Sequence, residues 1–391
     1  MTTLIRGGQV YGPQPLGRRD ILTAGRTVLA VSPPGEIGLT GLEVREIDAS
    51  DRLVVPGFVD SHVHILGGGG EGGPSTRCPE IEVAEIVAAG VTSLIGCLGT
   101  DAVTRHMASL LAKARALETE GISTWIFVGS YELPVVTLTG SVRSDLALID
   151  KVVGAGEIAV SDHRSAQPTF AELAGLAAEC RVGGMLGGKA GVLHLHVGDG
   201  PAGLQPLFRL RDETEIPVGQ IVPTHCNRHP DLLEQAIDWM LSGGVADLTA
   251  GLGSPSHDGR DVSVPDAVRR CVARRVPPGR ITVSSDGQGS IPSFDDQGRL
   301  TGLAVASQRT LLDTFRTLVR GEVVPLADAC RIFSTNPAAV YRLAGKGEIR
   351  AGADADLLLL DQDLELRESF TLGRATMKDG EPIIHGTFAR D

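Results

Sequence analysis

What this sequence lacks narrows its class before any motif is considered. Its 391 residues include six cysteines, but they form no Cys-x-x-Cys pair and have no regular spacing, which argues against a disulfide framework. No apolar run approaches the length of a transmembrane helix, and the first residues lack the apolar core and cleavage site of a signal peptide. A basic stripe is missing as well. These absences predict a cytoplasmic protein that binds neither membranes nor nucleic acid.

The composition is that of an ordinary globular protein. Hydrophobic residues make up 42% and charged residues 21% of the chain, and its length allows a large core plus a smaller second domain. The formal net charge of -12 is spread along the chain, so we interpret it as a contribution to solubility and not as a clue to the substrate. The 50 glycines are dispersed among apolar segments, which predicts many tight turns.

Both ends of the chain have the pattern of short strands. The first contains TTLIRGGQVYG and DILTAGRTVLAVS, and the last contains ADLLLLD and RATMKDGEPIIHGTF with a turn signal at Asp379-Gly380. Neither end alone has enough strands for a stable sheet. We therefore expect residues 1–55 and 346–391 to pair into one small β-sandwich domain, with residues 56–345 inserted between them.

The middle of the chain alternates between short β-branched runs and longer helical patterns. The strand candidates are Val54–Asp60, Thr92–Cys97, Thr124–Gly129, Val152–Ser161, Val192–Val197, Ile221–His225, Ala246–Ala250 and Ile281–Ser285. The helix candidates are Asp101–Glu120, Pro168–Arg181, Pro230–Ser242 and Pro265–Arg275. Eight strands alternating with helices predict an α/β fold, a TIM (β/α)8 barrel. An open doubly wound sheet is the alternative, but its glycine-rich nucleotide fingerprint is replaced here by His-x-His.

The first chemical signal is the pair His62 and His64 at the end of the first candidate strand. Side chains alternate along a strand, so these two imidazoles point to the same side. Two imidazoles that face one point suit a metal ion. The alternative is a pair of surface histidines on an edge strand.

Three further strands end in residues of the ligand type. His196, His225 and Asp286 follow the fifth, sixth and eighth candidate strands. Each alone could be a polar residue that caps a strand, but barrels of this type hold their active sites at the carboxyl ends of the strands. Together they predict a metal site. His194 lies one step deeper, and we expect it in the core or behind a ligand.

The fourth strand leaves two possibilities open. If it is Val152–Glu157, then Glu157 lies at its exit; if it is Ile158–Ser161, then residues 162–164 do. At such an exit, Glu157 could bridge two cations, whereas its alternative is an exposed loop glutamate. Composition alone does not decide between these roles.

A glycine-rich loop, Gly67–Pro74, follows His64. It is not a phosphate-binding loop, because no Gly-Lys-Ser/Thr follows it. It could be a flexible linker, but it leaves the strand with the candidate ligands, so we expect Glu71 to face a substrate. Arg164 and Arg228 are expected at the same mouth, where they could bind carboxylates or serve as ordinary surface charges.

Several of these segments resemble a known family. Residues 56–64 and 345–357 resemble the amidohydrolase superfamily. More narrowly, the chain resembles the isoaspartyl (β-aspartyl) dipeptidases over nearly its whole length, in the segments HVHILGGGGEGGP, LGTDAVTRH, SDHRSAQP, GGMLGGK, PTHCNR and SSDGQGS.

The resemblance implies two zinc ions per chain, although other divalent metals also suit such ligands. It assigns one ion to His62, His64 and Asp286 and the other to His196 and His225. It implies that Glu71 binds a substrate ammonium group, that Thr100, Arg164, Arg228 and Ser290 hold carboxylates or backbone groups, and that Tyr131 assists at the scissile carbonyl. The family usually bridges its metals with a carboxylated lysine, and Glu157 stands at that position here. We expect Glu157 to bridge a tighter pair of metals; the alternative is one strong and one weak metal site.

The implied activity is a metal-dependent dipeptidase that hydrolyses the β-aspartyl amide bond of isoAsp-X dipeptides. A metal-activated hydroxide would attack, with Asp286 as general base and acid. One alternative is another amidohydrolase that acts on N-acyl amino acids or cyclic amides. A noncatalytic scaffold is a third interpretation, but it would predict lost metal ligands, and here they are intact. A homo-oligomer is the base expectation.

Overall fold

The computed structural model describes residues 2–41, 43–252, 261–294 and 300–389. Parts of the two predicted domain ranges, residues 1, 42, 253–260, 295–299 and 390–391, lie outside the described residues. Within the described ranges, no helix is both long enough and apolar enough to cross a membrane. All six cysteines are buried free thiols.

The strands of the described residues fall into two regions, one at the chain ends and one in the middle. They are β1 (Thr2–Tyr11), β2 (Pro15–Ala24), β3 (Thr27–Ser32), β4 (Arg45–Asp48), β5 (Leu53–Pro56), β6 (Phe58–Val63), β7 (Val91–Gly96), β8 (Ser123–Val128), β9 (Val152–Val160), β10 (Val192–Val197), β11 (Ile221–Thr224), β12 (Ala246–Thr249), β13 (Ile281–Ser284), β14 (Ser290–Phe294), β15 (Leu300–Val305), β16 (Leu357–Leu360), β17 (Leu366–Thr371), β18 (Arg374–Lys378) and β19 (Glu381–Pro382).

The α-helices are concentrated in the middle of the chain. They are α1 (Val83–Ala88), α2 (Met107–Glu120), α3 (Val142–Leu148), α4 (Phe170–Gly187), α5 (Gln205–Glu213), α6 (Pro230–Leu241), α7 (Val264–Ala273), α8 (Thr310–Arg320), α9 (Leu326–Cys330) and α10 (Asn336–Val340). A π-helical turn, Arg331–Thr335, joins the last two.

The two chain ends share one nine-stranded sheet. Its order is β19-β18-β17-β16-β5-β1-β2-β3, and β4 pairs with the first part of the same β1 edge that pairs with β5 further along. β5 pairs in parallel with β1 and antiparallel with β16, so the first and last segments of the chain hydrogen-bond to each other. Ile5, Val10, Ile21, Leu357 and Phe370 form part of its buried core. The residues between β18 and β19 form the turn that the Asp-Gly signal predicted.

The middle of the chain forms parallel strands separated by helices. Six strands form one parallel sheet in the order β11-β10-β9-β8-β7-β6, and β12 pairs in parallel with β13. β12 lies beside β11, and β13 lies beside β6. Because all these strands run in the same direction, their carboxyl ends gather at one face of the fold.

The first predicted strand, Val54–Asp60, is wrong as a single element. The chain changes sheets at Gly57: β5 belongs to the end-strand sheet, and β6 begins the parallel sheet. The Gly57 N–H donates to the carbonyl of Asp356, whereas Phe58 N–H donates to Gly90. A Cβ atom at position 57 would lie 2.2 Å from Thr92 Oγ1, so glycine is needed there.

The predicted start of the helix at Asp101 is also wrong. α2 begins at Met107, and the Asp101 carboxylate accepts backbone hydrogen bonds from Val103 and Thr104 in the preceding turn. An aspartate forms such a turn as readily as it caps a helix, and the sequence pattern does not distinguish the two. The predicted end at Glu120 agrees with the last residue of α2, which Gly121 caps.

Candidate metal centre

Glu157 lies between two pairs of histidines that come from three strands, β6, β10 and β11, or from the residue directly after them. Its Oε1 lies 3.4 Å from His62 Nε2 and 3.3 Å from His64 Nε2. Its Oε2 lies 3.0 Å from His196 Nδ1 and 3.6 Å from His225 Nε2. All five side chains are buried. One carboxylate therefore faces both pairs, one pair with each oxygen.

Asp286 closes one end of this group. Its Oδ1 lies 3.1 Å from His64 Nε2 and 3.5 Å from His62 Nε2. His225 directly follows β11, and Asp286 is the second residue after β13. Both have left-handed backbone conformations, with φ of 55° for Asp286 and 61° for His225. Such conformations are costly for residues other than glycine and concentrate at functional sites.

The placement of Glu157 differs from both sequence alternatives for the fourth strand. β9 is a single strand that extends to Val160, and Glu157 lies inside it, fully buried. The pairing of β9 with β10 shifts register between Ala155 and Ile158, and such an irregularity re-aims a side chain. A Cβ atom at Gly156 would lie 2.8 Å from His194, so glycine permits this close approach. Glu157 is not an exposed loop residue.

The residues fit a pair of divalent cations. His62 Nε2, Glu157 Oε1 and Asp286 Oδ1 are buried and have no hydrogen-bond partner among the described residues. Orphaned polar atoms in a protein interior are costly unless something binds them. Ligand atoms at about 2.0–2.1 Å from a tetrahedral zinc ion lie about 3.3 Å from each other, close to the separations seen here. Two groups of metal-ligand type share Glu157: one contains His62, His64 and Cys97, and the other contains His196 and His225.

The charges within the cluster stabilise an ionised Glu157. Burial alone opposes its ionisation, but His62, His196 and His225 lower the pKa of this carboxyl well below its usual value. Burial lowers the pKa of His225 to about 3, so that imidazole is neutral and its ring nitrogen is free to bind a cation. The pKa of Asp286 is also lowered, because the neighbouring imidazoles outweigh its burial.

His194 and Tyr341 form a chain of hydrogen bonds behind His62. His62 Nδ1 lies 2.8 Å from His194 Nε2, and His194 Nδ1 lies 3.0 Å from the Tyr341 hydroxyl. If His62 bound a cation through Nε2, it would carry its proton on Nδ1, so His62 would donate to His194 and His194 would donate to Tyr341. The His194 ring also stacks on Phe127, with centroids 4.6 Å apart. This arrangement restrains the orientation of the His62 ring and places His194 in the core, directly behind His62.

We predict that Tyr341→Phe weakens metal binding about tenfold or more, because His194 loses the partner that fixes its tautomer. The measurement is competition with a chelator at pH 7. Tyr11→Phe, in β1 of the end-strand sheet, is the matched control and should bind metal like the wild type. Equal affinity in the two variants would remove Tyr341 from this role.

Asp60 joins the strand of the first histidine pair to the strand of Asp286. Its carboxylate accepts hydrogen bonds from the Ser285 backbone N–H at 3.1 Å, the Ser285 hydroxyl at 2.5 Å and Gln308 Nε2 at 3.0 Å. Burial raises the pKa of Asp60 to about 6. Sequence reasoning missed this role, although Asp60 lies within the same motif as His62 and His64.

The predicted substrate-binding residues also lie together. Glu71 Oε1 accepts a hydrogen bond from Thr100 Oγ1 at 2.9 Å, and its other oxygen accepts one from Ser290 Oγ at 3.1 Å. Arg164 Nη1 lies 3.5 Å from Glu71. These four residues come from three loops and the start of β14, so the fold alone brings them into contact.

Arg164 connects this group to the metal-ligand cluster. Its guanidinium pairs with Asp162 at 2.8 Å and lies over the Tyr131 ring, 5.3 Å from the centroid. Asp162, which sequence reasoning considered only as a strand exit, accepts a hydrogen bond from His196 Nε2 at 2.9 Å. The Tyr131 hydroxyl lies 2.8 Å from His196 Nδ1. Burial and the charge of Glu157 raise the pKa of Tyr131 well above its usual value, so this hydroxyl keeps its proton.

Arg228 lies near the same residues but has the least defined set of partners. Its Nε is buried without a hydrogen-bond partner among the described residues, and it lies 3.8 Å from Asp199. The positive charge of Arg228 contributes to lowering the pKa of His225. A partly buried guanidinium with an unpaired N–H can bind a carboxylate.

The glycine-rich loop is held in place and is not a free linker. The Gly68 N–H donates to the Gln288 carbonyl, and the Gly68 carbonyl accepts a hydrogen bond from the Cys78 N–H. The buried Arg105, which sequence reasoning missed, donates to the carbonyls of Gly68 and Gly69. A Cβ atom at Gly67 would lie 2.1 Å from the Cys78 carbonyl oxygen, so glycine is required for this close contact.

The parallel strands, their helices and the buried imidazole–carboxylate cluster define a hydrolase of the amidohydrolase class. The sequence model of the Amidohydrolase family matches residues 261–386. A dihydropyrimidinase from Brevibacillus agri has 15% sequence identity and a TM-score of 0.69 over the whole of both chains, which shows the common fold alone.

A β-aspartyl dipeptidase from Fervidobacterium islandicum, solved with the dipeptide β-Asp-Leu, is 42% identical to this chain. The match covers 98% of this chain and 97% of that one, with a TM-score of 0.92. The chain therefore belongs to the β-aspartyl dipeptidase family. Dihydroorotase from Staphylococcus aureus matches over 90 residues at 36% identity, and this chain spans only 20% of the length of that curated relative.

Proposed function

We propose that this protein is a metal-dependent dipeptidase that hydrolyses the β-aspartyl amide bond of isoAsp-X dipeptides. The observation that carries the proposal is the contact between two groups of side chains: the imidazole–carboxylate cluster around Glu157 and the charged group around Glu71. Arg164 belongs to the second group and, through Asp162, contacts His196 of the first.

The charges of the second group complement those of an isoaspartyl dipeptide. Such a substrate carries an α-ammonium, an α-carboxylate and a C-terminal carboxylate, and its scissile amide runs through the side-chain carbonyl. Glu71 offers one carboxylate for the ammonium, and Arg164 and Arg228 offer two guanidinium groups for the carboxylates. Thr100 and Ser290 hydrogen-bond to Glu71 and hold it in position.

The metal centre that we propose contains two zinc ions per chain. His62, His64 and Asp286 would hold one ion, His196 and His225 the other, and Glu157 would bridge them. Divalent cations at this site would polarise the scissile carbonyl and lower the pKa of a water molecule towards neutrality. The same nitrogen and oxygen donors would also accept manganese, cobalt or iron.

In the proposed reaction, Asp286 transfers a proton and Tyr131 stabilises the negative charge that develops on the carbonyl oxygen. The Asp286 carboxylate, ionised because its pKa is lowered, accepts a proton from the attacking water and passes it to the leaving amine. The Tyr131 hydroxyl, which keeps its proton, donates a hydrogen bond to the oxygen that becomes negative. Water adds to the carbonyl carbon, the C–N bond breaks, and aspartate and the free amino acid leave.

For the architecture, we propose a closed (β/α)8 barrel at residues 56–345 and a small β-sandwich domain built from residues 1–55 and 346–391. The contacts of β12 with β11 and of β13 with β6 support closure of the barrel. A backbone hydrogen bond from His64 N–H to Gly287 also supports it. The shared sheet of the two chain ends supports the small domain.

Hydrolysis of β-Asp-Leu by the zinc-loaded protein tests the proposed function. We expect turnover of β-Asp-Leu and little or none of α-Asp-Leu, an N-acetyl amino acid or a hydantoin, since these lack either the isopeptide bond or the charge pattern. Faster hydrolysis of the N-acetyl amino acid or the cyclic amide would instead assign another amidohydrolase activity.

The role of Glu71 gives a separate prediction. Glu71→Gln removes the negative charge opposite the substrate ammonium but keeps the side-chain shape. We expect kcat/KM for β-Asp-Leu to fall about tenfold or more, a factor that corresponds to about 1.4 kcal/mol. The kcat/KM for N-acetyl-β-Asp-Leu should change little, because this compound has no ammonium group. Steady-state kinetics with both compounds provides the comparison. If both lose activity equally, Glu71 does not bind the ammonium group.

A further inference from the structure

A cavity lies at the opposite end of the parallel strands from the metal centre. It has a volume of about 410 Å³ and is bordered by residues that precede β10 to β13 or begin them, including Val192, Gln220 and Val245. His196, His225 and Asp286 lie at the other ends of these strands. Val192 at the cavity and His196 in the metal-ligand cluster are separated along β10 by four steps of about 3.3 Å each, which is about 13 Å.

Among the residues that the structure describes, three arginines and no acidic residue line this cavity. Arg181 belongs to α4, Arg280 precedes β13, and Arg342 follows α10. A cavity with three positive charges is unexpected in a chain whose net charge is -12. Concave sites lined by one sign of charge attract small ions of the other sign.

These guanidinium groups are not neutralised by the protein. Arg280 donates to the Gly243 carbonyl at 2.6 Å, and Arg342 donates to the Lys189 carbonyl at 3.4 Å. No carboxylate in the described part of the chain forms an ion pair with any of the three arginines. By contrast, Arg274 and Arg367 elsewhere on the surface pair with acidic residues.

The cavity wall also carries an unused hydrogen-bond acceptor. Gln220 is 5% exposed, and its Nε2 donates to the Ala177 carbonyl at 2.9 Å. Its Oε1 has no partner among the described residues. Gln220 therefore adds a buried, unpartnered polar atom to the wall that the three arginines share.

We propose that this cavity, which we call the arginine cavity, binds a small organic anion with a phosphate or carboxylate group. Guanidinium groups bind both of these groups through paired N–H donors. The ligand would contact the starts of the strands whose other ends carry the metal ligands. It would therefore stabilise the folded barrel without occupying the reaction site.

Inorganic phosphate and succinate are the two probes, and hydrogen exchange of the zinc-loaded protein locates their binding. We expect at least one probe to protect residues 177–182, 217–221 and 336–342 and to raise the melting temperature. The probe that protects these segments identifies the preferred charged group. Protection confined to residues 62–71, 162–164 and 225–228 would place the anion at the metal centre and overturn the proposal.

The variant Arg181→Gln/Arg342→Gln should raise the Kd of the bound probe at least tenfold and abolish this protection. Arg115→Gln/Arg350→Gln removes the same charge from two exposed arginines outside the cavity and should behave like the wild type. Because Arg342 is exposed, Arg342→Gln alone provides a second variant and should give an intermediate loss. Unchanged affinity in Arg342→Gln and in the double variant would contradict the proposal.

Discussion

Asp286→Asn should lower kcat for β-Asp-Leu by about 10²–10⁴-fold, the range that positioned proton-transfer groups contribute. The amide cannot accept the proton of the attacking water, although it keeps the size of the carboxylate. Because Asp286 also lies 3.1 Å from His64 Nε2, the variant should lose some metal affinity as well. Turnover is therefore measured at saturating zinc, with metal content determined on the same sample.

Asp231→Asn serves as the control for this experiment. Asp231 lies in the exposed first turn of α6, and its replacement should leave kcat unchanged. Near-normal kcat of Asp286→Asn at full metal loading would contradict the proton-transfer role. A loss of kcat that zinc fully restores would assign Asp286 to metal binding alone.

Glu157→Ala should reduce bound zinc from two ions per chain to one or none and abolish turnover. This carboxylate is the only group that faces both histidine pairs among the described residues, with one oxygen directed at each. Its removal deletes a carboxylate oxygen from each proposed metal site, so the remaining histidines would bind the ions less tightly. Elemental analysis of the dialysed protein gives the number of ions.

Glu132→Ala provides the matched control, because Glu132 is an exposed glutamate on the loop that follows β8. It should retain the zinc content and activity of the wild type. Two ions per chain in Glu157→Ala would place Glu157 outside the coordination sphere. One tightly bound ion in the wild type would favour the alternative of one strong and one weak site.

The sequence predicted which imidazoles and carboxylates lie together better than it predicted the elements that hold them. His62, His64, His196 and His225 could be found because each lies at or near the end of a strand candidate, and parallel strands end at one face. Glu71 could be found from its position in the loop after His64. In each case, the neighbouring sequence was enough to identify the residue, and the predicted fold class implied that these residues lie close together.

Other features could not be predicted because they depend on contacts between distant segments. The change of sheet at Gly57 interrupts no apolar pattern, since the residues on both sides are hydrophobic. The register shift that aims Glu157 into the centre depends on the pairing of β9 with β10. The bond between His194 and Tyr341 joins residues 147 positions apart, and no local pattern reveals it.

Anomalous diffraction from crystals of the zinc-loaded protein tests the central claim most directly. We predict two peaks within coordination distance of Glu157, one beside each carboxylate oxygen, with His62 and His64 at the first and His196 and His225 at the second. A single peak, or two peaks that Glu157 does not contact, would contradict the account.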